Sequence, residues 1–415
     1  MESGVLAVRG QPRTVRGRIN TGVIVFLLIL VPFLAHAGGL GMAPLMAIIG
    51  GVGWVTVATL RPLNLKPYFV VLFVFLLWAW ITSLWSPYTT DEFLTNPVKL
   101  LIGTALFMGG LKAVRSARNR LPVILPHIFI AVNIFACGLI ILDGLSNYGL
   151  TFLFDPLNEQ ENIVRKHADV EMNIGHSVTI LILCLGPVMA LMMQRIKKGW
   201  IVALLYVFAL LWAAKLSGLA VGILSSLIVL FALIVSIFMP LLTLKIGIGF
   251  AIGSILFAPL IGWMSRSLPH SIVDSLPLSW EHRVAMWEFT AARIWEAPLW
   301  GHGFDAVRTF DDTMTLGRAE NWRIVSLHPH NAGLHIWVET GLIGAVLASI
   351  LIFFIGQNLI KIAKVSSAFA MGSTGLIFAA TIVSSVTYGV WQDWWWASII
   401  FAGAMLNLLS FKPSK

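Results

Sequence analysis

Long apolar runs separated by short polar segments dominate this chain. A membrane-spanning helix needs about 20 mostly apolar residues. Twelve runs reach or approach that length, at residues 21–38, 40–60, 68–86, 97–113, 121–143, 173–194, 200–214, 217–238, 240–262, 332–357, 368–390 and 393–410. They are continuously apolar rather than alternating, which favours helices over the strands of a barrel. The pattern predicts an all-α polytopic membrane protein with about twelve transmembrane helices, ten to thirteen if the tight hairpins are counted differently.

Composition supports this fold class and excludes others. Of the 415 residues, 58% are apolar and only 11% are charged, whereas a soluble domain carries about 25% charged residues. A soluble enzyme, a disordered protein and a repeat solenoid are therefore excluded. The two cysteines lie in apolar runs and give no disulfide framework or cysteine-based zinc site. The net charge of +9 comes from short basic clusters between apolar runs, which indicates topology rather than a nucleic-acid partner.

The basic clusters also predict orientation. They occupy the two terminal segments and the loops after the even-numbered spans, where Glu2 is the only acid. By the positive-inside rule, both termini are expected in the cytoplasm. The basic leader, the first apolar run and Ala35-His36-Ala37 imitate a secretory signal with a cleavage site, but we interpret this segment as the first span.

Two longer polar segments fall on the opposite side, at 144–172 and 263–331. The second of them divides the chain into spans one to nine (1–262), a large loop (263–331) and spans ten to twelve (332–415). Loops of such length in a compact protein are usually functional. Within the large loop, apolar residues recur at helical spacing after Ser279, a possible N-cap, and before Pro298; they are Val284, Trp287, Ala291, Ile294 and Trp295. This predicts an amphipathic helix lying over the membrane, or a lid without chemistry of its own.

The basic residues on the outer side are exceptions to the positive-inside pattern. They are Lys99, Arg165, Lys166, Lys215, Arg266, Arg283, Arg293, Arg308, Arg318 and Arg323. Lys215 is the most unusual, because it lies in a very short turn between two apolar spans. A charge at bilayer depth costs about 2.5–3.5 kcal/mol, so Lys215 either extends to lipid phosphates or binds an anionic substrate group.

The segment His328-Pro329-His330-Asn331 precedes the tenth span. Asn331 is a plausible N-cap, which places His330 just outside a helix N-terminus. The partial positive charge there disfavours an imidazolium and attracts anions, as a general base beside an anion site requires. His328, His330 and His335 also allow a metal site, although the last two point to different faces of a helix. A purely structural histidine pair remains the other alternative.

Glu339 lies four residues after His335 in the tenth span, so the two side chains share a helix face. The spacing favours a pair that neutralises a buried carboxylate. A catalytic role for Glu339 is the alternative.

Four pieces of sequence together resemble the O-antigen ligase and polymerase superfamily. They are Arg283-Val284-Ala285-Met286-Trp287, Pro298-Leu299-Trp300-Gly301-His302-Gly303-Phe304, His328-Pro329-His330-Asn331 and Glu339-Thr340-Gly341-Leu342-Ile343-Gly344. Their order and spacing, and the span layout with a late outer loop, are similar to those of the family. Many members have a Ser-Arg pair where this chain has Lys215-Leu216-Ser217-Gly218, and a lysine there lacks the bidentate fork of arginine.

The resemblance implies a glycosyltransferase of the bacterial inner membrane, acting on the periplasmic face. The donor would be a glycan on undecaprenyl diphosphate, and the acceptor would be lipid A–core oligosaccharide. Membrane lipids would surround both substrates. His330 would be the catalytic base, with support from His328, Asn331 and Glu339. The diphosphate would be bound by Arg283, Lys215, Arg266 and Arg165, the last with Asn173 as a weaker form of another family element.

No Asp-x-Asp element or carboxylate cluster for a divalent ion is evident in the sequence. We therefore expect no cofactor and no metal, and a single inverting displacement. An O-antigen repeat-unit polymerase or O-oligosaccharyltransferase would carry the same motifs. A transporter of polyprenyl-linked glycans is a rival of another class, disfavoured because the spans carry few charges away from their ends.

Overall fold

The computed structural model describes residues 15–57, 66–89, 96–117, 124–156, 162–317 and 319–410. In these ranges the α-helices are α1 (Val15–His36), α2 (Met42–Val57), α3 (Pro67–Thr82), α4 (Asn96–Ala117), α5 (Ile124–Leu145), α6 (Gly149–Phe154), α7 (Ile163–Arg195), α8 (Gly199–Leu216), α9 (Ala220–Phe238), α10 (Pro240–Leu256), α11 (Ala258–Arg266), α12 (His270–Val273), α13 (Leu278–Glu296), α14 (Ala332–Ala363), α15 (Ser367–Val386) and α16 (Asp393–Met405). Two 3-10 helices, η1 (Ala306–Thr309) and η2 (Leu406–Ser410), and two short strands complete the described structure.

Each of the twelve predicted runs contains a helix, and the ninth contains two. Six helices are long and apolar enough to cross a membrane: α5, α7, α8, α9, α14 and α15. The pair α10 and α11 passes the same test together, with a bend of 66° at their junction. The apolar parts of α1 to α4 are shorter; a 16-residue helix such as α2 extends about 24 Å at 1.5 Å per residue. The chain is a multi-pass membrane protein with six or seven helices of spanning length among the described residues.

The polar segment 144–172 is more helical than the sequence pattern predicts. It contains α6, and α7 begins at Ile163 rather than near residue 173. Of the residues before the apolar run, Val170 is buried and belongs to the core cluster, which gives this first part of α7 an apolar contact with the bundle. The prediction that this whole segment is a loop was wrong.

α7 is the central helix of the bundle. Its apolar portion is almost completely buried, and it packs against α5, α8, α9 and α15. Gly186 of α7 and Gly375 of α15 lie at their closest approach, where a Cβ on Gly375 would stand 2.5 Å from the Gly186 Cα. This contact fixes α15, whose C-terminal end forms part of the candidate site.

The predicted amphipathic helix of the large loop is α13, but it begins at Leu278 with Pro277 as the N-cap rather than Ser279. Its buried side contains Val284, Met286, Thr290, Ala291 and Ile294. This side packs against α11 and α14, so the apolar stripe faces the protein instead of a membrane surface. Trp295 does not belong to the stripe, because it is 71% exposed.

The large loop also contains a β-hairpin, which departs from the all-α prediction. Strand β1 (Thr313–Leu316) pairs antiparallel with β2 (Ala319–Arg323), with Thr313 opposite Arg323. The hairpin follows η1 and leads to the histidine segment. Both strands therefore lie, along the chain, between α13 and the segment 328–331 that precedes α14.

Candidate functional site

Three consecutive backbone carbonyls at the end of α15 hold the central residues of the predicted site. The carbonyl of Ser385 accepts a hydrogen bond from Asn331 Nδ2 at 2.9 Å. That of Val386 accepts from Arg283 Nε at 3.0 Å, and that of Thr387 from His330 Nδ1 at 2.5 Å. The last carbonyls of a helix lack partners within the helix, so side chains from other elements satisfy them here. α13, α14 and α15 are thereby joined at one point.

His330 is held in a conformation that suits a base. Its backbone is left-handed, with φ of 51°, and the next residue, Asn331, caps α14 by accepting from Leu334 N at 2.9 Å, as the sequence predicted. Because Nδ1 donates to the Thr387 carbonyl, the neutral ring keeps its proton there and leaves a lone pair on Nε2. Burial, and then the Arg283 guanidinium, lower the pKa of His330 to about 4. The imidazole is therefore neutral at pH 7.

Arg283 is a cation without a carboxylate partner among the described residues. It is half-buried, and burial lowers its pKa, although a guanidinium stays charged in proteins. Nε binds the Val386 carbonyl, Nη1 donates to the Ser279 carbonyl at 2.7 Å, and the group lies 5.5 Å from the centre of the Trp280 ring. These contacts fix the guanidinium while its other N–H groups have no acceptor in the described chain.

His328 separates His330 from a cavity. Its Nδ1 accepts the His330 backbone N–H at 3.2 Å, and the two rings meet edge-to-face with centroids 4.5 Å apart. Burial lowers its pKa well below the usual value, as do the nearby His330, His335, Arg308 and Arg283. His328 therefore stays neutral between two arginines. The cavity behind it has a volume of about 180 Å³ and is also lined by Lys99 and Arg308.

Glu339 is completely buried and ties three segments together. Its Oε1 accepts from Val307 N at 3.3 Å and lies 3.2 Å from His335 Nε2, whereas Oε2 accepts from Trp391 Nε1 at 2.5 Å. The Nδ1 atom of His335 accepts the Val390 N–H at 3.2 Å, so a neutral ring carries its proton on Nε2, which has no well-aligned acceptor in the described chain. The predicted approach of His335 to Glu339 on one helix face is confirmed, whereas neutralisation of the carboxylate by this pair stays a prediction.

The two glycine-containing motifs form a single interlocked unit. At Gly341 the backbone is non-helical, with φ of 66° and ψ of −167°, which breaks α14. The segment 298–303, here called the strap, fills the break. His302 N and Gly303 N donate to the carbonyls of Val338 and Glu339 at 2.8 and 2.9 Å.

The reverse bonds complete the unit. Leu342 N donates to the Pro298 carbonyl at 2.9 Å, and Trp78 Nε1 donates to the Thr340 carbonyl at 2.9 Å. The backbone groups released by the break are thus paired with the strap and with α3, as buried backbone groups require. The glycine motif at 339–344 therefore has a structural role, because it forms the break in α14 that the strap fills.

Lys215, Arg165 and Arg266 lie apart from this cluster. Lys215 is exposed at the end of α8, with Nζ 5.6 Å from the centre of the Trp212 ring. Arg165 is exposed in the first turn of α7, and Arg266 is 78% exposed, with its Nε 4.0 Å from Glu288. No contact in the described chain joins any of them to His330 or Arg283, so their predicted role in diphosphate binding stays a prediction.

Arg308 was predicted only as one of the outer-side basic residues and was not assigned to the site. Arg308 Nε binds Asp305 Oδ1 at 2.9 Å, and Asn96 Nδ2 binds the other oxygen of that carboxylate. Burial, and then Glu339, raise the pKa of Asp305. These residues come from η1 and α4, which are more than 200 positions apart, and the spacing of the sequence contains no signal for their contact. Among the described residues, no group of three or more His, Cys, Asp or Glu side chains is arranged to hold a metal ion.

Comparison with known proteins connects this site to a family. A family model described as O-antigen ligase matches residues 179–349, which include Arg283, the strap, His330 and Glu339 but not the end of α15. The predicted resemblance to that family is confirmed.

Three similar relatives bear the name “Putative polysaccharide ligase”. The Rickettsia bellii protein is 32% identical over 175 residues, 41% of this chain and 42% of its own. The Rickettsia felis protein is 31% identical over 176 residues, with the same coverage, and the Rickettsia typhi protein is 30% identical over 202 residues, 47% of each chain. The match spans less than half the length of these relatives.

Proposed function

We propose that this protein is a glycosyltransferase that moves an O-antigen glycan from undecaprenyl diphosphate to lipid A–core oligosaccharide. One observation carries the proposal: His330 is neutral, with its proton on Nδ1 and its Nε2 unpaired among the described residues, beside an arginine that lacks a carboxylate partner. A base next to a free cation suits transfer from a diphosphate carrier. The likeness to the O-antigen ligase family supports the same substrate class.

In this reaction an acceptor hydroxyl attacks the anomeric carbon of the donor sugar, and His330 Nε2 removes its proton. The bond from that carbon to the diphosphate oxygen breaks, and the diphosphate leaves with the electron pair. The remaining N–H groups of Arg283 stabilise its charge, and the configuration is inverted in one displacement. A bound diphosphate also raises the pKa of His330 from its low value, which makes the imidazole a stronger base.

We further propose that the site faces the periplasm, that the twelve predicted runs all lie in the inner membrane, and that both termini are cytoplasmic. Lys361 and Lys364 lie at the end of α14 that is farthest from Asn331, which supports this orientation. The four helices with shorter apolar parts among the described residues, α1 to α4, are then also spans.

Reconstitution tests the proposal. The purified protein is placed in liposomes with carrier-linked glycan and either lipid A–core or a second carrier-linked glycan as acceptor. We expect glycosylated lipid A–core. Elongation of the carrier-linked glycan instead would identify a polymerase, and no transfer to either acceptor by folded protein would refute the proposal.

His330→Ala tests the base. We expect transfer to be abolished while insertion and yield stay normal, and His328→Ala to have a smaller effect. His270→Ala is the matched control, because His270 is exposed on α12 and lies outside the site. Transfer by His330→Ala at the rate of this control would remove His330 as the base.

A further inference from the structure

The cavity behind His328 differs in its chemistry from the Arg283 side of the site. One wall is a face of α4 at helical spacing, from Asn96 through Gly103 to Phe107, and the opposite wall is formed by residues of 389–396. His328 belongs both to the floor of this cavity and to the contact with His330. A ligand in the cavity therefore adjoins the proposed base.

The charges around the cavity balance. Its charged lining residues are Lys99, Arg308, Asp305 and Asp393, two of each sign, and His328 is neutral because its pKa is depressed. Asp393 is exposed and has no hydrogen bond or ion pair in the described chain. Such a carboxylate repels a diphosphate and accepts hydrogen bonds from hydroxyl groups. The cavity therefore favours a neutral, hydroxyl-rich ligand, whereas Arg283, which has no acid beside it in the described part of the chain, favours the anion.

The aromatic walls point to the same ligand. The indole N–H of Trp391 is bound to Glu339 and that of Trp396 to the Val390 carbonyl, each at 2.5 Å. Both rings therefore offer only apolar surface, as does Phe304, whose ring centre lies 4.7 Å from that of Trp391. A sugar ring has apolar C–H faces and polar edges, which matches aromatic walls with a few polar groups.

We propose that this cavity is a saccharide subsite that binds one sugar ring of a substrate glycan, next to the transferred bond. The proposal rests on the proposed function and assigns the two halves of the substrate to two places, the sugar to the cavity and the diphosphate to Arg283. The ring belongs to the donor glycan or to the acceptor oligosaccharide, which have the same chemistry.

Two variants of different kinds test the subsite. Asp393→Asn removes the carboxylate charge, and Gly103→Leu fills the cavity without removing a polar group. A Cβ on Gly103 would meet only the Phe107 ring, at 3.7 Å, so the larger side chain enters open space and leaves the packing of α4 intact. Asp274→Asn is the matched control, because Asp274 is exposed at the end of α12 and does not line the cavity. Melting temperatures verify that all three variants are folded.

Direct binding separates the outcomes. The probes are undecaprenyl diphosphate without sugar, the same carrier with its glycan, and lipid A–core, each titrated into protein in nanodiscs. We expect both cavity variants to bind the sugar-free carrier as the wild type does. A glycan-bearing ligand should bind about tenfold more weakly, as for loss of a hydrogen bond to a charged group. Weaker binding of the glycan-bearing carrier places the donor ring in the cavity, and weaker binding of lipid A–core places the acceptor ring there.

Two results would overturn the subsite. The first is that both variants bind both glycan-bearing ligands with wild-type affinity. The second is that the variants lose as much affinity for the sugar-free carrier as for the glycan-bearing ligands, which would mean that the cavity holds the diphosphate. Failure of the proposed function is seen separately, as absence of transfer by the wild type, and does not affect these binding measurements.

Discussion

Replacing Gly341 by alanine should break the contact between α14 and the strap. The backbone at Gly341 has φ of 66° and ψ of −167°, a region that is almost restricted to glycine. A Cβ built there would lie 2.2 Å from the Leu299 carbonyl oxygen, 2.4 Å from its carbon and 2.6 Å from Trp300 N. All three are backbone atoms, so no side-chain rotation can relieve the clash.

The expected cost has two parts. Holding a non-glycine residue in this conformation costs about 1–3 kcal/mol. Moving the strap away also weakens the backbone bonds from His302 N to Val338 and from Leu342 N to Pro298, each of which contributes about 0.5–1.5 kcal/mol. The free energy of unfolding should therefore fall by about 2–6 kcal/mol.

Denaturant titration of the purified protein in detergent measures this change. Gly253→Ala in α10 is the control, because a Cβ there meets only Phe257, at 3.8 Å, and alanine is the better helix former by about 1 kcal/mol. The control should be neutral or stabilised. If the Gly341→Ala protein unfolds at the same denaturant concentration as this control, the strap does not hold the break in α14.

Gly301→Ala tests the other half of the same contact. Its φ is 71°, and a Cβ there would lie 2.4 Å from the Glu339 carbonyl carbon and 2.6 Å from Thr340 N. Once either substitution has displaced the strap, the second should cost less than it does alone. The double variant should therefore be less destabilised than the sum of the single variants, since neighbouring sites couple by about 0.5–3 kcal/mol. Strict additivity would show that the two glycines belong to separate contacts.

Further predictions concern charge at the site. Arg283→Gln removes the cation that lowers the pKa of His330, so this pKa rises towards 6.5. The acidic limb of the kcat/KM profile should then move to higher pH, by up to about one pH unit. Arg283→Lys should leave the limb in place yet lose most activity, because a point charge does not replace the guanidinium fork; full activity of the lysine variant would contradict the diphosphate contact. Glu339→Gln turns an amide donor towards either Val307 N or Trp391 Nε1 and should cost about 1–3 kcal/mol of unfolding free energy; an unchanged titration would rule out the buried acceptor. Lys215→Met should weaken carrier binding if Lys215 touches the diphosphate, whereas unchanged affinity would leave it only its contact with Trp212. Transfer should persist in excess chelator; loss of activity that Mg²⁺ or Mn²⁺ restores would contradict the arginine mechanism.

Where the structure departs from the sequence pattern, local packing explains the difference. Apolar runs mark where helices occur, but not where each helix begins, since α7 begins at Ile163, before its apolar run. The stripe of α13 was recognised from its spacing, yet its partners are α11 and α14. At this contact a Cβ on Gly262 would lie 2.0 Å from the Ala291 Cβ. Helical spacing of apolar residues shows that one face of a helix is apolar. It does not show whether that face packs against protein or against lipid.

The sequence by itself determined the features that depend on neighbours along the chain. The cap of Asn331 on Leu334 N and the approach of His335 to Glu339 follow from spacings of three and four residues in a helix. The apolar runs likewise determined the membrane class, because burial of backbone groups in lipid requires helices. His330 and Arg283 were selected from the sequence, but their hydrogen bonds to the end of α15 were not predicted.

Only the tertiary structure decided how these residues meet. Thr387 accepts from His330 across 57 positions, and Val386 accepts from Arg283 across 103. No motif marks these carbonyls, because an acceptor at a helix end belongs to the backbone and is present whatever the side chain. Which helix end lies beside the histidine depends on the packing of α15 against α7 and α14. That packing fixes the tautomer of His330, and with it the nitrogen that is free to act as a base.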